Sequence, residues 1–287
     1  MALSAVLHYF PTEISEKLKN IPKEYGVLRE IHMRACAPVS VLCDTLHLLD
    51  AAPPTADAIQ RTAQRMCQNS VYARQEELRQ GFVTLSGGHR VGFCGKVVTE
   101  NGTIRCLSEI SSLLLRLAHA VVGAADNVLP HLFIGDTLLN TVIVSPPGCG
   151  KTTLLRDIAR KLASEAYGFT VGIADERGEI AAMHRGTPQN DVGIFSDVYD
   201  GCPKALAMGM LLRGMAPHVV ITDEIGGERD CAALEMLAHS GVRILCSAHG
   251  ASREDLLARS DIGRLLRSGV LKKTVVLSGK GKVEAVI

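Results

Sequence analysis

Tryptophan is absent from this 287-residue chain, and phenylalanine and tyrosine together supply only 4% of it. The core must therefore be aliphatic, and hydrophobic residues at 47% provide ample material for one. A strong charge of either sign is missing too. Lys and Arg number 31 against 30 Asp and Glu, a formal net charge of +1. That balance argues against an extended electrostatic footprint for nucleic acid and leaves room only for a local patch. The nine cysteines, at 36, 43, 67, 94, 106, 149, 202, 231 and 246, include no Cys-x-x-Cys pair. An odd, scattered set argues against a disulfide framework or a zinc module and fits a reducing cytosol. The opening MALSAVLHYFPTEISEKL has no basic residues ahead of its apolar ones, so a secretory signal is not expected. The most apolar stretch, SSLLLRLAHAVVGAADNVLPHLFI, is interrupted by Arg116, His119, Asp126 and Pro130 and is too broken to span a bilayer. Attachment to a membrane, if it occurs, is expected to run through a partner.

The length allows two modest domains, and the pattern changes near residue 120. The first part, 1–120, reads as a smaller α+β domain. VSVLCDTLHLLD alternates as a strand or hairpin, and TADAIQRTAQRMCQNSVYARQEELRQG reads as a helix ending at Gly81. FVTLSGGHRVGFCGKVVTENGTIRCLSEI has short β-rich pieces separated by Gly-Gly and Asn-Gly, the pattern of an antiparallel meander. A helix is expected near Ser111–Asn127. The second part, 121–287, alternates strand and helix. NTVIVS, FTVGIADE, HVVITDE and VRILCSAH are strands; Lys151–Ala163, CPKALAMGMLLRGM, ERDCAALEMLAHSG and SREDLLARSDIGRLLRSG are helices, the last with Ser252 as N-cap and Asp255 completing a capping box. KTVVLSGKGKVEAVI closes the chain as two strands around a Gly-Lys-Gly turn. Such alternation implies a mostly parallel sheet covered on both faces, an α/β fold.

Chemistry enters at VIVSPPGCGKTTLLRDIARKL, which has the layout of a phosphate-binding loop, G-x-x-x-x-G-K-[ST], except that Ser145 stands at the first glycine position. That position needs a small residue turning out of a strand, which serine can supply. Pro146 and Pro147 stiffen the entry, and Gly148 and Gly150 permit close approach of backbone N–H groups to an anion at the helix N-terminus. Lys151 would neutralise β- and γ-phosphate charge, the Thr152 hydroxyl would bind Mg²⁺, and Cys149 and Thr153 complete the loop that would hold ATP. Cys149 is read as a small tolerated residue. A bare Gly-Lys-[Ser/Thr] is a weak signal; the apolar strand before it and the helix after it, with Leu154, Leu155, Ile158 and Leu162 on one side, give it weight.

Ligands in parallel sheets gather at the carboxyl ends of strands, and three further strand ends carry polar groups. HVVITDE ends in Asp223, placed to hold Mg²⁺ through its water shell, and Glu224, placed to polarise an attacking water. FTVGIADERGEI puts Asp175, Glu176 and Glu179 at another tip, a second candidate for water activation or a solvated turn that pairs with Arg177. VRILCSAHG places His249 at a third tip, where a polar group can sense a γ-phosphate.

SPPGCGKTTLLRDIAR, DERGEIA, DGCPKALAMGMLLRGMAPHVVITDE and ILCSAHG together resemble the stage III sporulation protein AA family, close to the secretion ATPases of type II and type IV systems. VYARQEELRQGFVTLSGGHRVGFCGKVV and ISSLLLRLAH extend the likeness into the first part, so that it runs from about Leu28 to the end. The resemblance implies a RecA-like P-loop ATPase domain behind an N-terminal domain, with DERGEI as its Asp box and CSAHG as its His box. It implies catalytic roles for Lys151, Glu224, Glu176 and His249, with ATP and Mg²⁺ as cofactors. It also implies a homo-hexamer in the cytoplasm on the mother-cell side of the forespore septum, recruited to the membrane by the membrane proteins of one sporulation channel complex and energising that channel. An arginine of the N-terminal domain is implied to reach nucleotide on closure, and Arg90 or Arg116 is the candidate, with Arg213 and Arg229 as rivals. The pairing Asp223-Glu224 departs from the Gly-Glu common in pilus motors, and the division of duty between Glu224 and Glu176 stays open.

The alternative is a nucleic-acid-dependent RecA-like ATPase using Lys272, Lys273, Lys280 and Lys282. Single-strand binding usually employs aromatic stacking, and no Phe or Tyr interleaves with those lysines. Direct contact with nucleic acid is therefore not expected.

Overall fold

The computed structural model of the chain describes residues 3–67, 81–100, 103–119 and 121–287. It divides into two compact units, Met1–His119 and Ala120–Ile287.

The first unit begins with helix α1 (Thr12–Lys19). It continues through strands β1 (Glu30–Arg34), β2 (Ser40–Leu42) and β3 (Leu46–Leu48) to helix α2 (Ala56–Met66). Strands β4 (Val83–Thr84), β5 (Arg90–Glu100) and β6 (Thr103–Arg116) follow. All six strands form one antiparallel sheet in the order β3-β2-β1-β6-β5-β4. Period-two alternation sends Ile31, Met33, Val41, Val91, Leu113 and Leu115 to one face, where Ile14 and Leu18 of α1 and Ile59, Ala63 and Met66 of α2 join the same core. Each such side chain contributes about 1.5–3 kcal/mol on burial. Thr55 caps α2 by accepting from the Ala58 N–H at 3.1 Å. The rest of the expected helix, residues 68–80, and the Asn101–Gly102 turn lie outside the described residues.

The expectation of a helix near Ser111–Asn127 is corrected. Ser111–Arg116 completes β6, which pairs with β1 on one side and β5 on the other. Leu114 faces outward with Ser112 and Arg116, so three successive leucines hide a strand's alternation. Two partner strands pair with residues 112–116 of the segment, which outweighs its helical propensity.

In the second unit, β7 (Phe133–Ile134) and β8 (Thr137–Leu138) form a small hairpin. Strand β9 (Thr141–Ser145) and helix α3 (Lys151–Leu162) come next, then β10 (Val171–Asp175) and a second small hairpin, β11 (Met183–His184) with β12 (Thr187–Pro188). Then come β13 (Ser196–Asp200), α4 (Lys204–Gly214), β14 (Val219–Thr222), α5 (Glu228–His239) and β15 (Arg243–His249). The chain closes with α6 (Arg253–Ala258), α7 (Ser260–Arg267), β16 (Lys273–Ser278) and β17 (Lys282–Val286). The sheet order is β13-β10-β14-β15-β9-β16-β17, parallel throughout except for the final β16–β17 pair.

Both faces of this sheet are covered. Ile143, Ile173, Ile221 and Leu245 pack under α3 on one side. Val144, Val220, Ile244 and Cys246 pack under α4, α5 and α7 on the other. Two-sided burial explains why these strands read as continuous apolar runs. The fold is α/β and RecA-like, a P-loop domain with a mostly parallel sheet, preceded by a smaller α+β unit.

Two elements differ from expectation. The segment after Ser252 is two helices, broken at the extended residue Arg259, whose guanidinium donates to the His249 carbonyl at 3.1 Å. Ser252 does cap α6 by accepting from the Asp255 N–H, while Asp255 reaches the Ala251 N–H, one residue before the box position. The edge strand β13 was not expected at all, since Ser-Asp-Val-Tyr-Asp is half polar; pairing with β10 alone makes it a strand.

Candidate functional site

Strand β9 delivers Ser145, fully buried, to the base of the loop. The loop then turns through Gly148 and Gly150, both left-handed at φ 76° and 88°, a conformation costly to any residue with a Cβ. A Cβ on Gly150 would also meet the Gly281 Cα at 3.2 Å, because the turn between β16 and β17 leans on this loop. Lys151 opens α3 and is itself buried. Its Nζ donates to the carbonyls of Ser145 at 2.9 Å and Pro146 at 3.1 Å and to the His249 ring at 3.1 Å. Burial lowers the Lys151 pKa, partly offset by the charge of Glu224.

Helix α3 also anchors the neighbouring segments through two residues the sequence does not single out. The buried Asp157 accepts from the N–H groups of Gly123 and Ala125. Arg156 donates to the carbonyls of Glu179 and Ile180.

Strand register brings the tips together. His249 of β15 lies directly beside Ser145 of β9, and β14 lies between β15 and β10. His249 bridges the two motifs. Its Nδ1 meets Lys151, and its Nε2 meets the Glu224 carboxylate at 2.8 Å. An ammonium on Lys151 leaves Nδ1 as acceptor, which puts the ring proton on Nε2, aimed at Glu224. The other Glu224 oxygen accepts from Arg177 at 2.6 Å. Glu224 is left-handed at φ 38°.

Asp223 is 1% exposed, and its Oδ2 has no hydrogen-bond partner among the described residues. Burial, then the charges of Asp175 and Glu179, push its carboxyl up to about 7, with Lys204 opposing. A buried carboxylate oxygen without a donor is a site wanting a cation. Among the described residues no three His, Cys, Asp or Glu converge to hold a metal by themselves. That suits Mg²⁺, which keeps several waters and takes few protein ligands. Thr152 and Asp223 are the residues that fit it.

The Asp box is differently arranged. Asp175, fully buried, accepts from the N–H groups of Glu179, Ile180 and Ala181 at 2.7–3.2 Å. It is a staple for its loop. Glu176 is held by Lys204 at 3.0 Å, and Arg177 reaches across to Glu224. Lys204, at the start of α4, was missed. Its one local signal is a cation in a first helical turn, where the helix dipole disfavours it.

The other basic candidates are spread over both units. Arg90 and Arg116 belong to the first unit, directly paired across β5 and β6. Arg90 lies over the Phe82 ring at 4.5 Å, Arg116 pairs with Glu30 at 3.1 Å, and both line a cavity of about 360 Å³. Arg213 and Arg229 are exposed on α4 and α5. The C-terminal lysines are not one patch. Lys272 and Lys273 stand at the start of β16, Lys280 and Lys282 beyond its end, about 20 Å apart at the rise of a strand.

A parallel sheet with a lysine-bearing loop closing one strand, and acids and a histidine on the strands beside it, places the second unit among RecA-like P-loop proteins. Solved structures of that class are similar in fold. The Legionella pneumophila ATPase DotB gives a TM-score of 0.61 at 15% identity, covering 93% of this chain and 76% of that one. The pilus retraction motor PilT, solved with bound ADP, gives 0.60 at 17%, covering 92% and 76%. The chain belongs to the family described as sporulation stage III, protein AA, whose model matches residues 4–287. It is 37% identical over 291 residues to stage III sporulation protein AA of Bacillus subtilis strain 168, covering 99% of this chain and 94% of that protein.

Proposed function

We propose that the chain is a Mg²⁺-dependent ATPase that acts as a motor, energising a transenvelope channel between mother cell and forespore during sporulation. The observation that carries this reading is the double contact of His249, to Lys151 through Nδ1 and to Glu224 through Nε2. One side chain thereby couples the phosphate loop to the residue best placed to orient an attacking water. Lys151 exchanges its loop carbonyls for phosphate oxygens when ATP enters. That exchange frees His249 and, through it, Glu224. Glu224 then polarises the attacking water, while Glu176 stays on Lys204. Thr152 and, through water, Asp223 would hold Mg²⁺, whose chemistry there would be neutralisation of phosphate charge.

Family membership supports the sporulation setting, and the likeness in fold to the ATPase DotB and the pilus retraction motor PilT supports an ATPase and a motor. A homo-hexamer, recruited from the cytoplasm by the membrane proteins of the channel complex, completes the proposal. Among the described residues no helix is long and apolar enough to cross a membrane.

The test is ATP hydrolysis by wild type, Lys151→Ala and Glu224→Gln, with oligomer size recorded on the same samples and single-stranded DNA added to half. Turnover carried by an oligomer, lost in both variants and indifferent to DNA supports the motor. Lys151→Ala that binds ATP at wild-type affinity overturns the loop assignment, and strong stimulation by DNA favours the nucleic-acid-dependent alternative. Arg90→Ala and Arg116→Ala test the arginine roles: the residue that reaches nucleotide loses turnover with nucleotide binding retained.

A further inference from the structure

We infer that Lys204 is a positioning residue that pins the main chain of Glu224 in its left-handed turn, and so fixes where the Glu224 carboxylate points. The inference rests on the ATPase reading of the site and adds to it a residue outside the phosphate loop and the acidic strand tips.

Lys204 occupies the first position of α4, where the helix dipole opposes a cation by about 0.3–1 kcal/mol. It is nevertheless buried, its side chain 9% exposed. Something at that spot holds the ammonium, and the structure gives it two acceptors. Nζ donates to the Glu224 carbonyl at 3.2 Å and to the Glu176 carboxylate at 3.0 Å.

Glu224 needs such a hold. Its φ of 38° is a strained value for a residue with a side chain, costing about 1–3 kcal/mol, and strain of this kind persists only where neighbours enforce it. The neighbours are specific. On the N-terminal side the Glu224 N–H donates to the Ser247 hydroxyl at 3.0 Å. On the C-terminal side the carbonyl is taken by Lys204, and the next N–H, of Ile225, donates to the Ser247 carbonyl at 2.8 Å. Strand β15 and helix α4 thus grip the two peptide groups flanking one Cα. Relaxation to extended backbone would swing the Cα–Cβ bond and carry the carboxylate away from His249 and Arg177. Glu176 serves in turn as the counter-charge that keeps Lys204 in place.

Lys204→Met and Ser247→Ala each remove one grip while leaving the loop, Asp223 and Glu224 intact. Both are measured in the full-length protein by melting temperature, by stoichiometry and affinity for a fluorescent ATP analogue, and by kcat and KM for MgATP. Lys204→Met is expected to lower kcat about tenfold or more and Ser247→Ala about threefold, on the scale of the strain released. KM and the number of nucleotide sites should stay within about twofold of wild type. A merely structural role would instead lower the melting temperature and the number of binding sites, with kcat per site unchanged, and that result overturns the inference. If Lys204→Met does not fold, Lys204→Gln is measured in the same way: wild-type kcat overturns the inference, and a selective loss of kcat upholds it. Wild-type protein that hydrolyses no ATP overturns the underlying reading, a different failure from active wild type beside unaffected variants.

Discussion

Strands β10 and β14 lie side by side, in register from Val171 with Val219 to Ala174 with Thr222, and each runs out into the same dipeptide, Asp-Glu. The two pairs have opposite fates. After Asp175 the chain curls back, and three of its own N–H groups close on the carboxylate. After Asp223 the chain turns left-handed at Glu224 toward β15, and among the described residues no donor reaches the Asp223 Oδ2. Glu176 meets a buried lysine, whereas Glu224 meets a histidine and an exposed arginine. One tip is therefore closed by its own loop, and the other keeps a buried carboxylate oxygen with no partner among the described residues. Two acids at adjacent strand ends carry no fixed meaning; the direction the backbone takes one residue later assigns it.

The contrast breaks most visibly in turnover. Glu224→Gln should lower kcat by about 10²–10⁴, the usual range for a positioned general base, while Glu176→Gln should cost less than about tenfold. Equal losses in single-turnover hydrolysis would mean that the two tips share the work. Stability separates the aspartates next. Asp175→Ala strands two buried N–H groups and one part-buried one and should destabilise by about 3 kcal/mol, a fall of roughly 5–10 °C in melting temperature. Asp223→Asn should instead stabilise the nucleotide-free protein at pH 8 by about 1–2 kcal/mol, because it removes a buried charge without a partner, even as it abolishes Mg²⁺-dependent turnover. Calorimetry on the two variants side by side checks the opposite signs.

The smallest expected effect is a pH slope. The Asp223 carboxyl is raised from 3.8 to about 7, so between those values the folded state keeps a proton that the unfolded chain has released. The unfolded state then binds fewer protons, and stability falls as pH rises through that window. Wild type without nucleotide should melt at lower temperature at pH 7.5 than at pH 5.5, and Asp223→Asn should flatten that part of the difference. An unchanged slope in the variant would remove Asp223 as its source.

Much of the second unit is legible without coordinates. Strands buried on both faces are runs of Val and Ile, and the helices between them have the right length, so β9, β10, β14 and β15 stand out while the half-polar edge strand β13 does not. In the first unit Leu113, Leu114 and Leu115 conceal their alternation, and only pairing with β1 and β5 makes Ser111–Arg116 a strand. The candidate site divides in the same way. Ser145 to Thr153 can be read as a phosphate loop because its requirements are local: a small residue at the turn, glycines where φ is positive, a lysine at the start of a helix. Asp223, Glu224 and His249 can be placed at strand ends for the same reason. The partners of these residues could not be read, because each lies on another strand or helix. Arg177 is 47 residues from the glutamate it holds, Lys151 is 98 from His249, and Lys204 is 20 from the carbonyl it grips. The pattern of a phosphate loop is written in short-range chain chemistry. Which carboxylate is already satisfied, and which is left open, was settled only when the strand order β10-β14-β15-β9 made neighbours of segments distant in the chain.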